Sequence, residues 1–235
     1  MLEDNKKPTM NSRRVLLLLI IYFVIFLKFV PEIAKKITLM LNPYATIMSI
    51  PVLVVLYLMV TAASIYIART VWKPSVEKFR SEPKKYIRMI VYAIVLILVV
   101  NFGLSIIISF VTQTDTSQNQ QIIETNSLIS PFYTFFYTCL IAPVLEETIF
   151  RGGIYTFVKE KMGVSAALVI SSIFFGLIHV SSSLFNGNIN DFVYLILYAG
   201  IGLILGYAYE RSDTIIVSVG IHAGNNLFSF IMMMI

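Results

Sequence analysis

Hydrophobic positions along the chain gather into seven long runs, at 15–30, 44–68, 87–111, 131–158, 164–183, 192–209 and 214–234. A helix needs roughly 17–25 mostly apolar residues to cross a bilayer, and these runs predict seven such helices. The first is short and carries Lys28, whose aliphatic stem can reach an interface. Around Pro31, the residues Lys28, Glu32, Lys35 and Lys36 are spaced i, i+4, i+7 and i+8. That spacing shares one helical face and predicts a separate amphipathic segment lying in the interface before Asn42 and Pro43. Residues 15–27 follow Lys6, Lys7, Arg13 and Arg14 as a signal-peptide core would, but Phe29, Val30 and Pro31 offer no small-residue cleavage site. A retained helix is therefore expected. The stretches 69–88 and 112–127 read as a basic and a polar loop. No internal repeat or long linker divides the chain. The expected organisation is an N-terminal region, 1–127, with three spans, and a four-helix core, 128–235.

Composition sharpens this picture. Of 235 residues, 57% are hydrophobic and 13% charged, with a mean hydropathy of +0.82. A soluble domain carries about 45–50% apolar and about 25% charged residues, so a water-soluble globule is excluded. One cysteine, Cys139, excludes a disulfide scaffold and a thiolate metal cluster. The fold class expected is an all-α polytopic membrane bundle with about seven spans, within six to eight. The net charge of +5 then reports topology rather than nucleic-acid binding. With the N-terminus in the cytoplasm, 15 of the 18 basic residues fall on the inner side, leaving Lys28, Lys35 and Lys36 outside. The basic stretch 69–88 is expected to lie at anionic headgroups.

Charge within a bilayer costs about 2.5–3.5 kcal/mol per residue on insertion scales, so polar groups inside spans need a reason. Glu146, Glu147 and Arg151 interrupt the fourth run, and the two histidines of the chain, His179 and His222, lie in the fifth and seventh, the latter followed by Asn225 and Asn226. Helical phase pairs Glu147 with Arg151, Phe175 with His179 and His222 with Asn226, all at i, i+4. Glu146 is turned about 100° away from Glu147 and can face a cavity. Counted along their helices, these groups can meet near mid-membrane toward the cytoplasmic side. A carboxylate there can hold a water as general base, an imidazole can share it and protonate a leaving amine, and a second imidazole with an amide can stabilise an oxyanion. Glu147 and Arg151 would orient the site, and Phe175 would form an aromatic wall.

The three motifs Glu146-Glu147-x-x-x-Arg151, Phe175-x-x-x-His179 and His222-x-x-x-Asn226, in that order on successive hydrophobic helices, resemble those of the CPBP family, which includes the Rce1-type CAAX prenyl endopeptidases and bacterial Abi-domain membrane proteins. The resemblance covers about residues 128–235. It implies an all-α intramembrane glutamic endopeptidase in which Glu146 and His179 activate water while His222 and Asn226 stabilise the oxyanion. Its substrate would be a membrane-associated protein or peptide. Nothing in the sequence marks that substrate as prenylated.

Other readings stay open beside it. Transmembrane His and Asn often serve as interhelical hydrogen bonders, and Gly202-x-x-x-Gly206 suits close helix packing. Two glutamates and two histidines could bind zinc, yet no His-Glu-x-x-His is present, and no cofactor is expected. Asp191 and Asp213 sit at predicted helix ends without a Gly-x-Gly-Asp, and Ser165 lies at an inner helix start far from both histidines, so aspartyl and serine mechanisms fit poorly. The rivals are a membrane binding or immunity protein that sequesters a peptide toxin, and a proton-coupled transporter built on buried Glu and His. The cell membrane, with access to the site from the cytoplasm, is the expected location.

Overall fold

A computed structural model describes residues 9–114 and 116–235, which are helical almost throughout, with no strand among them. Lys6 and Lys7, used in the charge count, lie outside the described residues. The helices are α1 (Ser12–Leu41), α2 (Ile50–Ile67), α3 (Arg69–Ser81), α4 (Pro83–Thr112), α5 (Gln118–Ile129), a continuous stretch Pro131–Phe185, α8 (Tyr194–Ser212) and α9 (Ile215–Met234). Six helical stretches are long and apolar enough to cross a membrane. The 55-residue stretch Pro131–Phe185 would be about 80 Å long if straight. Gly163, at φ 85° and ψ 175°, breaks it into α6 (131–162) and α7 (164–185). A side chain is strained at that positive φ, which glycine adopts freely. Counted with that break, seven helical stretches among the described residues are long enough to cross a membrane.

Three expected boundaries change. Residues 12–41 form one helix, so the charged segment after Pro31 is a continuation of the first span and not a separate interfacial element. Lys28, Glu32, Lys35 and Lys36 are nevertheless all exposed, as their shared face requires. The basic stretch is mostly the helix α3, not a loop, and the polar stretch 112–127 contains most of α5, capped by the Ser117 hydroxyl accepting from Gln120 N–H at 3.2 Å. Helix α5 lacks an apolar stripe that would have announced it. Its order comes from tertiary hydrogen bonds.

Prolines leave a second signature. The widened, π-type turns at Ile21–Phe29 and Tyr137–Ile141 each end just before a proline, Pro31 and Pro143. Proline has no N–H to donate and its ring presses on the carbonyl four residues back, which the wider turn relieves. A third such stretch, Thr148–Tyr155, contains Gly152 and Gly153 and is supported by the Thr156 hydroxyl donating to the Arg151 carbonyl at 2.9 Å. The turn carrying Glu146 and Glu147 lies between the last two.

One hydrophobic core runs through the bundle and across position 127, joining Leu18, Tyr22 and Phe26 of α1 to Leu145, Phe150 and Phe175. Helices α7 and α8 pack backbone against backbone. A Cβ at Gly202 would sit 3.0 Å from Ser172 Cα, and one at Gly176 would sit 2.8 Å from Leu195 Cδ1. The expected packing role of Gly202 and Gly206 is what the contacts display. Outward-facing Val91, Val95, Val99 and Phe102 of α4 are exposed and form part of the lipid-facing surface.

Candidate active site

Helix α6 delivers two adjacent carboxylates in different directions. Glu147 is fully buried and accepts from Arg151 Nη1 at 2.9 Å, so the expected i, i+4 pair is present. Arg151, equally buried, donates through Nη2 to the Gly202 carbonyl at 2.7 Å, which ties α6 to α8. Its guanidinium also lies 4.8 Å over the Phe175 ring. Glu146, 8% exposed, points into a cavity.

Both imidazoles converge on that carboxylate. His179 Nε2 and His222 Nε2 are each 3.9 Å from Glu146 Oε2. The opposite ring nitrogens are committed: His179 Nδ1 lies 2.8 Å from the Phe175 carbonyl and His222 Nδ1 lies 3.0 Å from Glu147 Oε1. Carbonyl and carboxylate oxygens only accept here, so each Nδ1 carries the proton and each Nε2 faces Glu146. Phe175 walls both rings, with centroids 4.6 Å from His179 and 5.5 Å from His222. Asn226 shares the cavity walls and donates one amide hydrogen to the Thr138 carbonyl at 2.8 Å, leaving its second for another acceptor. Glu146, His179, His222 and Asn226 are therefore brought together, with Glu147, Arg151 and Phe175 behind them. Asn225 is buried and its nearest polar partner is Asn226 Oδ1, at 3.4 Å.

Sequence reasoning missed several contributors. Tyr22, from the first span that looked chemically empty, donates its hydroxyl to Glu146 Oε1 at 3.4 Å. It was the sole hydroxyl in the run 15–30, and that was the available signal. Tyr198 stacks on His179 with centroids 4.6 Å apart. The bond between His222 and Glu147 had no signal in spacing, because it joins helices 75 positions apart.

Two cavities meet at these groups. One, of about 330 Å³, is lined by Tyr57, Tyr133 and Tyr137 on its aromatic side. The other, of about 210 Å³, is lined by Asn101, Ser105, Asn225 and Ser229. His179, His222, Asn226 and Thr138 border both, and α5 roofs them through Asn119 and Ile123. His179 lies six residues before the end of α7 at Phe185, about 9 Å from the face covered by α5. Among the described residues, no group of three or more His, Cys, Asp or Glu is arranged to hold a metal ion.

Fold and site together define an all-α integral membrane protein with a buried carboxylate between two imidazoles. Residues 128–228 match the family described as Type II CAAX prenyl endopeptidase, Rce1-like. The chain is 29% identical over 187 residues to the membrane-embedded CAAX protease MroQ of Staphylococcus aureus (strain USA300), a match covering 74% of this chain and 70% of that protein. It is 33% identical over 93 residues to the putative membrane peptidase YdiL of Bacillus subtilis (strain 168), covering 40% of this chain and about a third, 34%, of that protein. No solved structure matches.

Proposed function

We propose that this chain is an intramembrane endopeptidase that hydrolyses a peptide bond of a membrane-associated protein or peptide without a covalent intermediate. The observation that carries this reading is the pair of 3.9 Å separations between Glu146 Oε2 and the two Nε2 atoms. They are too long for direct hydrogen bonds and suit one bridging water. That water would donate one hydrogen to Glu146 and the other to His179 Nε2, leaving an oxygen lone pair for the scissile carbonyl. The C–O bond forms as Glu146 takes the water proton. The C–N bond then breaks as His179, having accepted the remaining proton of the added water at Nε2, passes it to the departing amine, and Glu146 returns its own proton to solvent when the products leave. His222 can donate from Nε2 only when it carries both ring protons, and Glu147 balances that charge. Together with the second Asn226 amide hydrogen, it would hold the oxyanion. Glu147 and Arg151 act by positioning His222 and α6. The family model that matches residues 128–228 and the names of the similar proteins support a peptidase. We place the protein in the cell membrane with its N-terminus in the cytoplasm, on the basis of the basic-residue asymmetry.

The test is Glu146→Gln, which keeps shape and removes the base. Membrane proteomics of cells carrying wild type or the variant should reveal substrate peptides that accumulate uncleaved only in the variant. In purified form, turnover of such a substrate should fall by about 10²–10⁴. Equal peptide profiles from both proteins, at equal expression, would sink the hydrolase reading and favour a sequestering protein. Turnover should also survive strong chelators, since the water is held by carboxylate and imidazole.

A further inference from the structure

Apart from Lys28, Lys35 and Lys36 in the second half of α1, the basic residues lie on the face of the bundle opposite the two cavities. Arg14 Nη1 reaches Thr70 at 3.1 Å, Lys78 pairs with Asp213 at 2.7 Å, and Lys159 pairs with Glu210, so the start of α1, α3 and the ends of α6 and α8 share one face. Both cavities end, on that side, at Asn101, Glu146, Phe175, Ile201 and His222. Beneath them Leu145, Ile149, Phe150, Arg151 and Leu205 are fully buried and close the passage. In the other direction the cavities run up to Thr116, Gln120, Asn126 and Met233, at α5 and the end of α9. The site is therefore closed toward the basic face and reached from beneath α5.

The second observation is the chemistry of the walls. Apart from Glu146 and the two histidines, every described lining side chain is neutral, and both cavities mix aromatic and aliphatic groups with amides and hydroxyls. An Asp or Glu side chain entering either cavity, or a Lys or Arg entering the one that Glu146 does not line, would lose its hydration with no counter-charge to meet it, and a Lys or Arg beside Glu146 would pair with the base itself. Backbone amides and Ser, Thr or Asn side chains would find partners.

We propose that the substrate is an uncharged stretch of polypeptide, mixing small polar with aromatic or apolar residues, presented at the extracytoplasmic face and entering beneath α5. The proposal rests on the peptidase reading and on the positive-inside orientation, and it replaces the expectation of cytoplasmic access.

Two measurements separate these dependencies. In a Cys139→Ala background, Gln121→Cys or Thr125→Cys on α5 should react with a membrane-impermeant maleimide in intact cells, whereas Lys73→Cys or Arg80→Cys on α3 should react only after permeabilisation. The reverse pattern overturns the assigned face whether or not the protein cleaves anything. The second measurement uses single-span reporter proteins expressed with the full-length chain. They carry a juxtamembrane Ser/Asn/Thr/Phe segment outside, the same segment inside, or the outer segment with one Lys or Glu. The outer neutral reporter should be cut in a Glu146-dependent way, and the others at least about tenfold less. Glu146-dependent cutting of the inner or charged reporters at an equal rate overturns the inference and leaves the peptidase intact. Correct labelling with no Glu146-dependent cutting of any reporter counts against both.

Discussion

Glu147 is the side chain on which the buried charges depend. It faces Arg151 and His222 through the same oxygen, Oε1, and the Glu147 and Arg151 side chains are both fully buried. Removing one member of a buried ion pair strands the other, at a cost of about 3–5 kcal/mol. Arg151→Met should therefore lower thermal stability in detergent sharply, and more than Arg151→Lys, which keeps the charge but loses the Gly202 contact. Tyr22→Phe tests a different contact. It removes a 3.4 Å hydrogen bond to Glu146 and keeps the ring against Phe26. The expected effect is about a tenfold loss of turnover, the worth of one hydrogen bond to a charged group, with stability little changed. A loss as large as that of Glu146→Gln would mean that Tyr22 has a direct part in the chemistry.

At the scale of elements, α5 and α8 are coupled through one residue. The Tyr198 hydroxyl lies 2.7 Å from Ser117 and accepts from Asn119 at 3.4 Å, while its ring stacks on His179. Asp191 adds the Gln118 N–H at 3.1 Å and the Ser183 hydroxyl. Helix α5 is thus pinned at its N-terminal end by groups beside the site. Tyr198→Phe keeps the stacking and removes both hydroxyl contacts. Hydrogen exchange across 118–129 should accelerate, while the 164–185 amides stay protected. Close packing gives the complementary case. Gly202→Val would drive a side chain into the Ser172 backbone, 3.0 Å from where a Cβ would sit. About 1–3 kcal/mol of stability should be lost through overpacking, read as a lowered unfolding temperature, and Arg151 would lose a well-placed acceptor. Most of α5 was invisible in the sequence because its Gln, Asn, Ser and Thr carry no hydrophobic periodicity. The α7–α8 contact was legible, since small residues four apart have few other uses.

For the whole molecule, the separation of a basic face from the cavity-bearing face determines what the site can reach. Orientation follows from charge in short loops and helix ends, so it can be shifted by charge alone. Replacing Lys73, Arg80, Lys84, Lys85 and Arg88 together by Gln leaves the packed interior untouched, since all five are exposed or half-exposed. A mixed population should result, visible as maleimide labelling of Gln121→Cys falling in intact cells and rising after permeabilisation. Unchanged labelling would place the topological determinant elsewhere, in Arg13 and Arg14 or in the later helices.

What could be read from residues alone is what each residue pays for by itself, wherever it sits. Burying Glu146, His179 or Asn226 in an apolar span is costly in any arrangement, so their mere presence there marked them, and the length of each apolar run counted the crossings. What needed the tertiary structure depends on distances between helices far apart in sequence: Tyr22 reaching Glu146, His222 bonding Glu147, α5 roofing the cavities, and closure toward the basic face. Periodicity reports the phase of a helix about its own axis. It carries no information on depth, tilt or neighbour, and those three quantities decide which polar groups meet and which side of the membrane they meet from.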